Sequence, residues 1–405
     1  MDFVIRMKPS WPILSVVPLV LAVGVDGALA DEGDALNFYV SQSFRYEDNL
    51  YRLSDGAEAP RGTRHDTIST SGVGLRFDQE YSRQRLRAEV GLTSSRYMEH
   101  SDLDHDSPDV RLYWDWQVGN RWSGLVSHMY RESMTGFDEV RGSELNINTY
   151  VRSAATADFW WHPRWATGVG FARTKSRFDE ENSRIGDFDA NTVDFNLTYR
   201  PPTENRVVLT VRETTGRYPN RAAEAGSIRD YEQQEVRLGS EWQLTGATRV
   251  SGFIGRTRLE YRFAPNRDFV GTTGRLGIDW KATAKTSVSL SVRREVGAQQ
   301  DVAANYAITE AVVLAPKWAL TDKMILGAGL EWRRRDYGGD PQLQTSNIVA
   351  SRDADSSHRY GLSLEYKPLR ALTFLLTLQK QKRNASEVLN RYEASSAALS
   401  MRFLF

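Results

Sequence analysis

The chain ends in Arg391-Tyr-Glu-Ala-Ser-Ser-Ala-Ala-Leu-Ser-Met-Arg-Phe-Leu-Phe405. In an extended strand successive side chains point to opposite sides. Ala397, Leu399, Met401, Phe403 and Phe405 therefore share one face, and Ser396, Ala398, Ser400, Arg402 and Leu404 share the other. A terminal aromatic, with a second aromatic two positions earlier and a whole apolar face in register with both, predicts a strand with one side in lipid. Phe403 and Phe405 are the expected C-terminal signal by which a bacterial barrel-assembly machinery recognises its clients.

Working back from that strand, the same two-residue period recurs in Arg85–Leu92, Thr192–Tyr199, Glu235–Trp242 and Arg359–Tyr366. A helix repeats every 3.6 residues and would not hold this register. The links between such segments alternate in length. Eight are short and turn-like, among them Gly119–Arg121, His162–Arg164 and Pro368–Arg370; nine are mostly longer and polar, among them Asp48–Arg64, Thr135–Leu145 and Asp336–Arg352. The expected fold is all-β: a transmembrane, antiparallel, up-and-down barrel of about 18 strands, or sixteen if one hairpin is misread, with both ends at the short turns. Aromatics crowd the strand ends beside the short turns, as in Trp114, Trp116, Trp122, Trp160, Trp161, Trp165, Tyr199, Trp242, Trp280, Trp318 and Tyr366. There they are expected to form a girdle at the headgroup layer of the outer-membrane lipid.

Export is expected from the first thirty residues. Arg6 and Lys8 precede an apolar stretch from Trp11 to Val25, and Asp26-Gly-Ala-Leu-Ala30 ends in small residues suited to signal peptidase. Residues 1–30 are read as a cleaved signal peptide, begun at either Met1 or Met7, and residues 31–405 as one barrel domain of a bacterial outer membrane. The chain has no Cys, so neither a disulfide nor a lipidated N-terminal Cys enters. Lys plus Arg and Asp plus Glu balance at 52 each, which argues against a nucleic-acid partner.

A barrel of this size is expected to hold a wet lumen. The polar strand face assigned to it includes Arg85, Arg87, Glu89, Arg111, Asp115, Asp194, Arg212, Arg237, Arg256, Arg258, Arg275, Arg293, Glu331 and Arg333 as pore-lining residues. Interleaved charges of both signs can pair across strands, and the small basic excess suggests tolerance for anions. With no link beyond about 18 residues and no plug-sized segment, a wide and weakly obstructed pore is the expectation. No cofactor, metal or catalytic site is expected. The six His residues stand in no Ser/His/Asp or HExxH setting. Ser127 with His128, as a barrel hydrolase, and the run from His100 to Asp109, as a cation loop, are weaker readings than lipid-edge and solvated-loop residues.

The first strand and its exit contain Tyr46-Glu-Asp-Asn-Leu-Tyr-Arg52, followed by Leu75-Arg-Phe-Asp78, Ser82-Arg-Gln-Arg-Leu86, Tyr113-Trp-Asp-Trp116 and Gly119-Asn-Arg-Trp122. These resemble the opening of the putative β-barrel porin 2 family, and the resemblance runs through the mature chain while its distinctive motifs lie near the start. It implies a passive, non-enzymatic outer-membrane pore for exopolysaccharide or capsular polymer, working beside a periplasmic polysaccharide-export protein. The alternative is a general diffusion porin for small solutes.

Overall fold

The computed structural model describes residues 35–405, apart from 139–141, 204, 224–228, 266–267, 299–305, 339–353 and 387. The expected signal peptide lies outside the described residues. The strands are β1 (Leu36–Glu47), β2 (Asp66–Tyr81), β3 (Gln84–Tyr97), β4 (His105–Val118), β5 (Trp122–Met134), β6 (Ile147–His162), β7 (Trp165–Phe178), β8 (Phe188–Tyr199), β9 (Arg206–Arg217), β10 (Asp230–Thr245), β11 (Thr248–Tyr261), β12 (Phe269–Lys281), β13 (Thr286–Ala298), β14 (Tyr306–Thr321), β15 (Met324–Gly338), β16 (Ala354–Leu369), β17 (Leu372–Ala385) and β18 (Tyr392–Leu404). Each pairs antiparallel with its sequence neighbours, and β1 pairs with β18, so the 18-stranded sheet is closed. Closure leaves no sheet edge with unsatisfied backbone groups in lipid.

The seam is fastened at both ends. At the short-turn rim, Phe405 N–H donates to the Phe38 carbonyl at 2.8 Å, and Phe38 N–H donates back at 3.3 Å. At the loop end, the motif around Tyr46–Arg52 forms a clasp. Asp48 Oδ1 accepts from Ser395 N–H at 2.6 Å, and Asn49 Nδ2 donates to the carbonyls of Glu393 and Leu53, both at 2.8 Å. Arg52, held at a φ of 55°, lies 2.8 Å from Glu47. The motif thus ties the first loop to the last strand, which is the side-chain-to-backbone chemistry Asp and Asn supply at strand ends.

Exposed apolar side chains define the outer face by parity. Phe38 and Phe44 on β1, Leu86, Val90 and Leu92 on β3, Val169 and Phe171 on β7, Ile254 on β11 and Leu399 on β18 mark it. The alternate positions face the lumen. Four bulges, after Trp160, Gln243, Ala319 and Tyr366, all fall beside short turns, where extra residues re-aim side chains at a barrel rim. Trp160, paired with the buried Ala166, turns inward beneath the Arg200 guanidinium, 4.4 Å from its ring centre, and so leaves the expected girdle. Trp161 keeps an outward place.

Candidate pore and its inward-folded loop

The lumenal wall is charged and mostly paired across strands. Arg85 meets Asp78 at 2.8 Å, and Arg87 meets Asp115 at 2.7 Å. Arg111 lies 2.8 Å from Asp109 and 3.8 Å from Glu89. Arg212 Nε donates to Asp194 at 2.5 Å, Arg237 pairs with Glu235, and Glu331 takes Arg333 on one oxygen and Arg359 on the other. Where both partners are half-exposed, as in Arg85–Asp78 and Arg87–Asp115, such pairs are worth about 0–1 kcal/mol each. They hold long side chains against the barrel more than they stabilise it.

Several inward cations make no ion pair among the described residues: Arg45 on β1, Arg76 on β2, and two that face each other across neighbouring strands. Arg275 and Arg293 stand directly opposite one another on β12 and β13. Neither makes an ion pair among the described residues, and the Arg293 Nε is buried with no protein partner. Like charges in register are destabilising by about 0.2–1 kcal/mol. Arg293 also interacts with the Glu331 carboxylate, which Arg333 and Arg359 already share, so cations are in excess over that carboxylate on this wall.

The register corrects the expected pore lining at two places. Arg256 and Arg258 lie across from Val236 and Val270, both exposed on the outer face, and so point away from the lumen. On β11 the large apolar residues occur at both parities. Val250 and Ile254 face out, whereas Phe253, Leu259 and Tyr261 face in, the last two in a buried cluster with Tyr231 and Phe269. Alternation alone did not fix the phase. The remaining residues of the expected lining, Arg85, Arg87, Glu89, Arg111, Asp115, Asp194, Arg212, Arg237, Arg275, Arg293, Glu331 and Arg333, lie on the inward parity. Phe403 and Phe405 lie on the outward parity, their rings 4.9 Å apart.

The expectation of a wide and weakly obstructed bore also needs correction, for the loop between β5 and β6 folds inward. Its Phe137 ring packs 4.7 Å from Tyr51 of the first loop, and its Asp138 carbonyl accepts from Arg383 Nη1 at 2.9 Å. Arg383 is on the lumenal face of β17, six positions around the ring from β5, so the loop spans that arc of the wall. Between them the loop and the wall enclose a cavity of about 650 Å³, lined by Tyr39, Ser43, Glu89, Arg111, Arg131 and Phe137 among others. Tyr39 lies flat across Gly74, where any Cβ would strike its ring.

A buried scaffold carries this loop. Leu50, Tyr51, Leu103 and Phe137 form an apolar cluster beneath the first three long loops. Beside it, fully buried Asp66 accepts from the N–H groups of Met98, Glu99 and His100 and lies 2.8 Å from His100 Nδ1. His100 is therefore a structural residue, and His105 Nδ1 faces the Leu103 carbonyl at 2.8 Å. The run from His100 to Asp109 does not converge on a cation, and no grouping of three metal-binding side chains occurs among the described residues. Ser127 and His128 take opposite faces; His128 instead meets Ser153 at 2.8 Å on the outer face. In the first loop, burial pushes the Tyr51 phenol up to about 12. In the β7–β8 loop, the Asn182 and Ser183 N–H groups bonded to Glu180 hold its carboxyl below the usual value.

A closed 18-stranded sheet with an apolar outer face, a charged inner face and a loop folded into the bore defines a membrane channel of the porin kind. The chain belongs to the family described as putative beta-barrel porin 2, whose model matches residues 183–405, and the protein is an outer-membrane β-barrel. That match lies in the other part of the chain from the motifs around Tyr46–Arg52. Among solved structures the chain is similar to OccK2 (OpdF) of Pseudomonas aeruginosa, at 12% identity over 92% of this chain and 98% of that one, with a TM-score of 0.49. It is also similar to OccAB3 of Acinetobacter baumannii, at 10% identity over 91% and 99%, with a TM-score of 0.47. OpdK of P. aeruginosa gives 9% over 91% and 99%, with a TM-score of 0.47. No curated protein matches.

Proposed function

We propose that the barrel is a passive, non-enzymatic channel for small hydrophilic solutes with a preference for anions. The observation that supports this reading is the β5–β6 loop, which reaches Arg383 on the lumenal face of β17 and so narrows the bore on the β1–β5 side, while Arg275 and Arg293 face each other on the opposite wall. An aqueous filter lined by fixed cations lowers the barrier for anions and raises it for cations. Small solutes suit a bore narrowed by a loop better than a bulky polymer does. Export of an exopolysaccharide or capsular polymer, with a periplasmic export protein as partner, is the second reading. It is favoured by the resemblance around Tyr46–Arg52, and an acidic polymer would meet the same arginines.

Planar-bilayer recordings of the purified barrel test the first reading. A reversal potential under a salt gradient should show anions carrying more of the current than cations. A chromosomal deletion separates the two readings. Slower uptake of small anions with surface polymer intact supports diffusion, and loss of surface polymer with uptake unchanged moves the assignment to export.

A further inference from the structure

The outer face of β7 reads, from the short-turn rim, Trp165, Thr167, Val169, Phe171, Arg173, Lys175 and Arg177. The apolar and aromatic residues give way abruptly to three cations in succession. With about 3.3 Å of rise per residue and a tilt of about 40°, Arg173 stands roughly 20 Å above Trp165, Lys175 about 25 Å and Arg177 about 30 Å. The apolar band of such a barrel is about 25 Å tall. The three cations thus straddle its outer boundary, where lipid headgroups begin.

Their partners separate Arg177 from the two cations below it. Arg177 takes both oxygens of Asp189 at 2.8 Å and is satisfied within the protein. Arg173 is exposed and lies opposite Ser153 and Asn191, both neutral. Lys175 lies opposite Val151 and the already engaged Asp189. No ion pair is made by either Arg173 or Lys175 among the described residues. Elsewhere in the collar, Arg96 pairs with Asp106, Arg258 with Glu260 and Arg294 with Glu310, and Arg256 is a single outward cation without an ion pair among the described residues rather than one of two in succession. The outward faces of β6 and β7 at this height hold no other carboxylate. A cation at the hydrocarbon boundary without an anion is costly to keep there, and the outer leaflet of a bacterial outer membrane is built of phosphorylated glycolipid.

We propose that Arg173 and Lys175 form a binding site on the outer wall for the phosphate groups of outer-leaflet glycolipid, held in place by the Arg177–Asp189 pair above. Guanidinium and ammonium groups one strand-repeat apart suit phosphate oxygens, the arginine through a two-pronged contact and the lysine as a point charge. The site is independent of what passes through the lumen.

The test uses the full-length barrel in detergent, titrated with diphosphoryl lipid A and read by native mass spectrometry. The unmodified protein should retain diphosphoryl lipid A and release its dephosphorylated form. In the R173Q/K175Q variant, affinity should fall about fivefold for each cation removed, so about twenty-fivefold for the pair. The charge-preserving R173K/K175R exchange should stay within about threefold of the original. Equal retention of the two lipids by the unmodified protein, a comparison that needs no variant, would show binding by acyl chains and overturn the proposal. So would unchanged affinity in a heat-modifiable, folded R173Q/K175Q barrel. Competition by equimolar inorganic phosphate would assign a free-ion site and overturn the lipid assignment.

Discussion

The wall from β1 to β5 and the wall around β12 and β13 stand about half a turn apart in the ring, and they shape the passage by different means. The first is a matter of volume. Most of its carboxylates are paired, its loops share an apolar cluster, and the β5–β6 loop is laid across it to Arg383. The second is a matter of charge, because Arg275 and Arg293 face each other in register and the Glu331 carboxylate that Arg293 reaches is already shared by Arg333 and Arg359. Volume requires many cooperating buried contacts, whereas charge in a wet wall requires only two side chains. Substitutions on the two walls should therefore fail differently, the first by opening the channel and the second by changing what it prefers.

Arg383→Ala should produce the largest change. The guanidinium holds the Asp138 carbonyl and the buried Asp355 carboxylate, and breaking a buried pair by removing one partner costs about 3–5 kcal/mol. With the loop tip released, single-channel conductance should rise and larger sugars should pass in liposome-swelling assays. A folded variant with unaltered conductance would show that the loop does not limit flow. Asp66→Ala acts on the same wall from beneath. It strips the acceptor from three backbone N–H groups and leaves the buried His100 Nδ1 without its partner, at an expected cost of about 3 kcal/mol. Amide exchange at Met98–His100 should accelerate in step, while the β12–β13 wall stays protected.

On the charged wall, R275S/R293S should leave the fold intact and even relieve a small repulsion of about 0.2–1 kcal/mol. Each lost cation weakens attraction for a passing anion by about 1 kcal/mol in water-like surroundings. The anion-to-cation permeability ratio should therefore fall severalfold at low salt, and less at high salt, where screening is strong. A ratio that does not move would place selectivity elsewhere in the bore.

How much of this was legible in sequence follows the range of the interaction responsible. Strand number, closure and the outward face of Phe403 and Phe405 depend on a local period and on loop lengths, and eighteen strands could be counted from them. The phase of β11 could not be read, because Phe253 faces in where Ile254 faces out and polar residues lie on both sides above the lipid. Loop length says nothing about direction. The inward turn of the β5–β6 loop at Phe137 and Asp138 depends on Arg383, 245 positions from Asp138 in sequence, and no local pattern encodes it. The motif at Tyr46–Arg52 was visible as a resemblance, yet its physical role as the seam clasp became clear only with Glu393 and Ser395 beside it.

The smallest expected effect tests whether the β1–β5 wall is held by packing or by polar bonding. Tyr51 is 4% exposed between Phe137 and His100, and its phenol oxygen is buried with no hydrogen-bond partner. Burial pushes the phenol from 10.0 up to about 12. Because its value in the folded protein is raised, its contribution is fully present below pH 10 and is lost as the pH climbs toward about 12, when the unfolded chain ionises first. Loop protection and conductance should thus be flat from mildly acidic to mildly alkaline pH, with conductance rising only beyond pH 10 as the loop loosens. Tyr51→Phe keeps the ring contacts and removes both the ionisation and the unpaired hydroxyl. It should match or slightly exceed the parent in stability, by up to about 1 kcal/mol, and lose the alkaline transition. The same transition in the Phe variant would mean that another group opens the loop, and a clear loss of stability would mean that the hydroxyl, not the packed ring, holds this wall together.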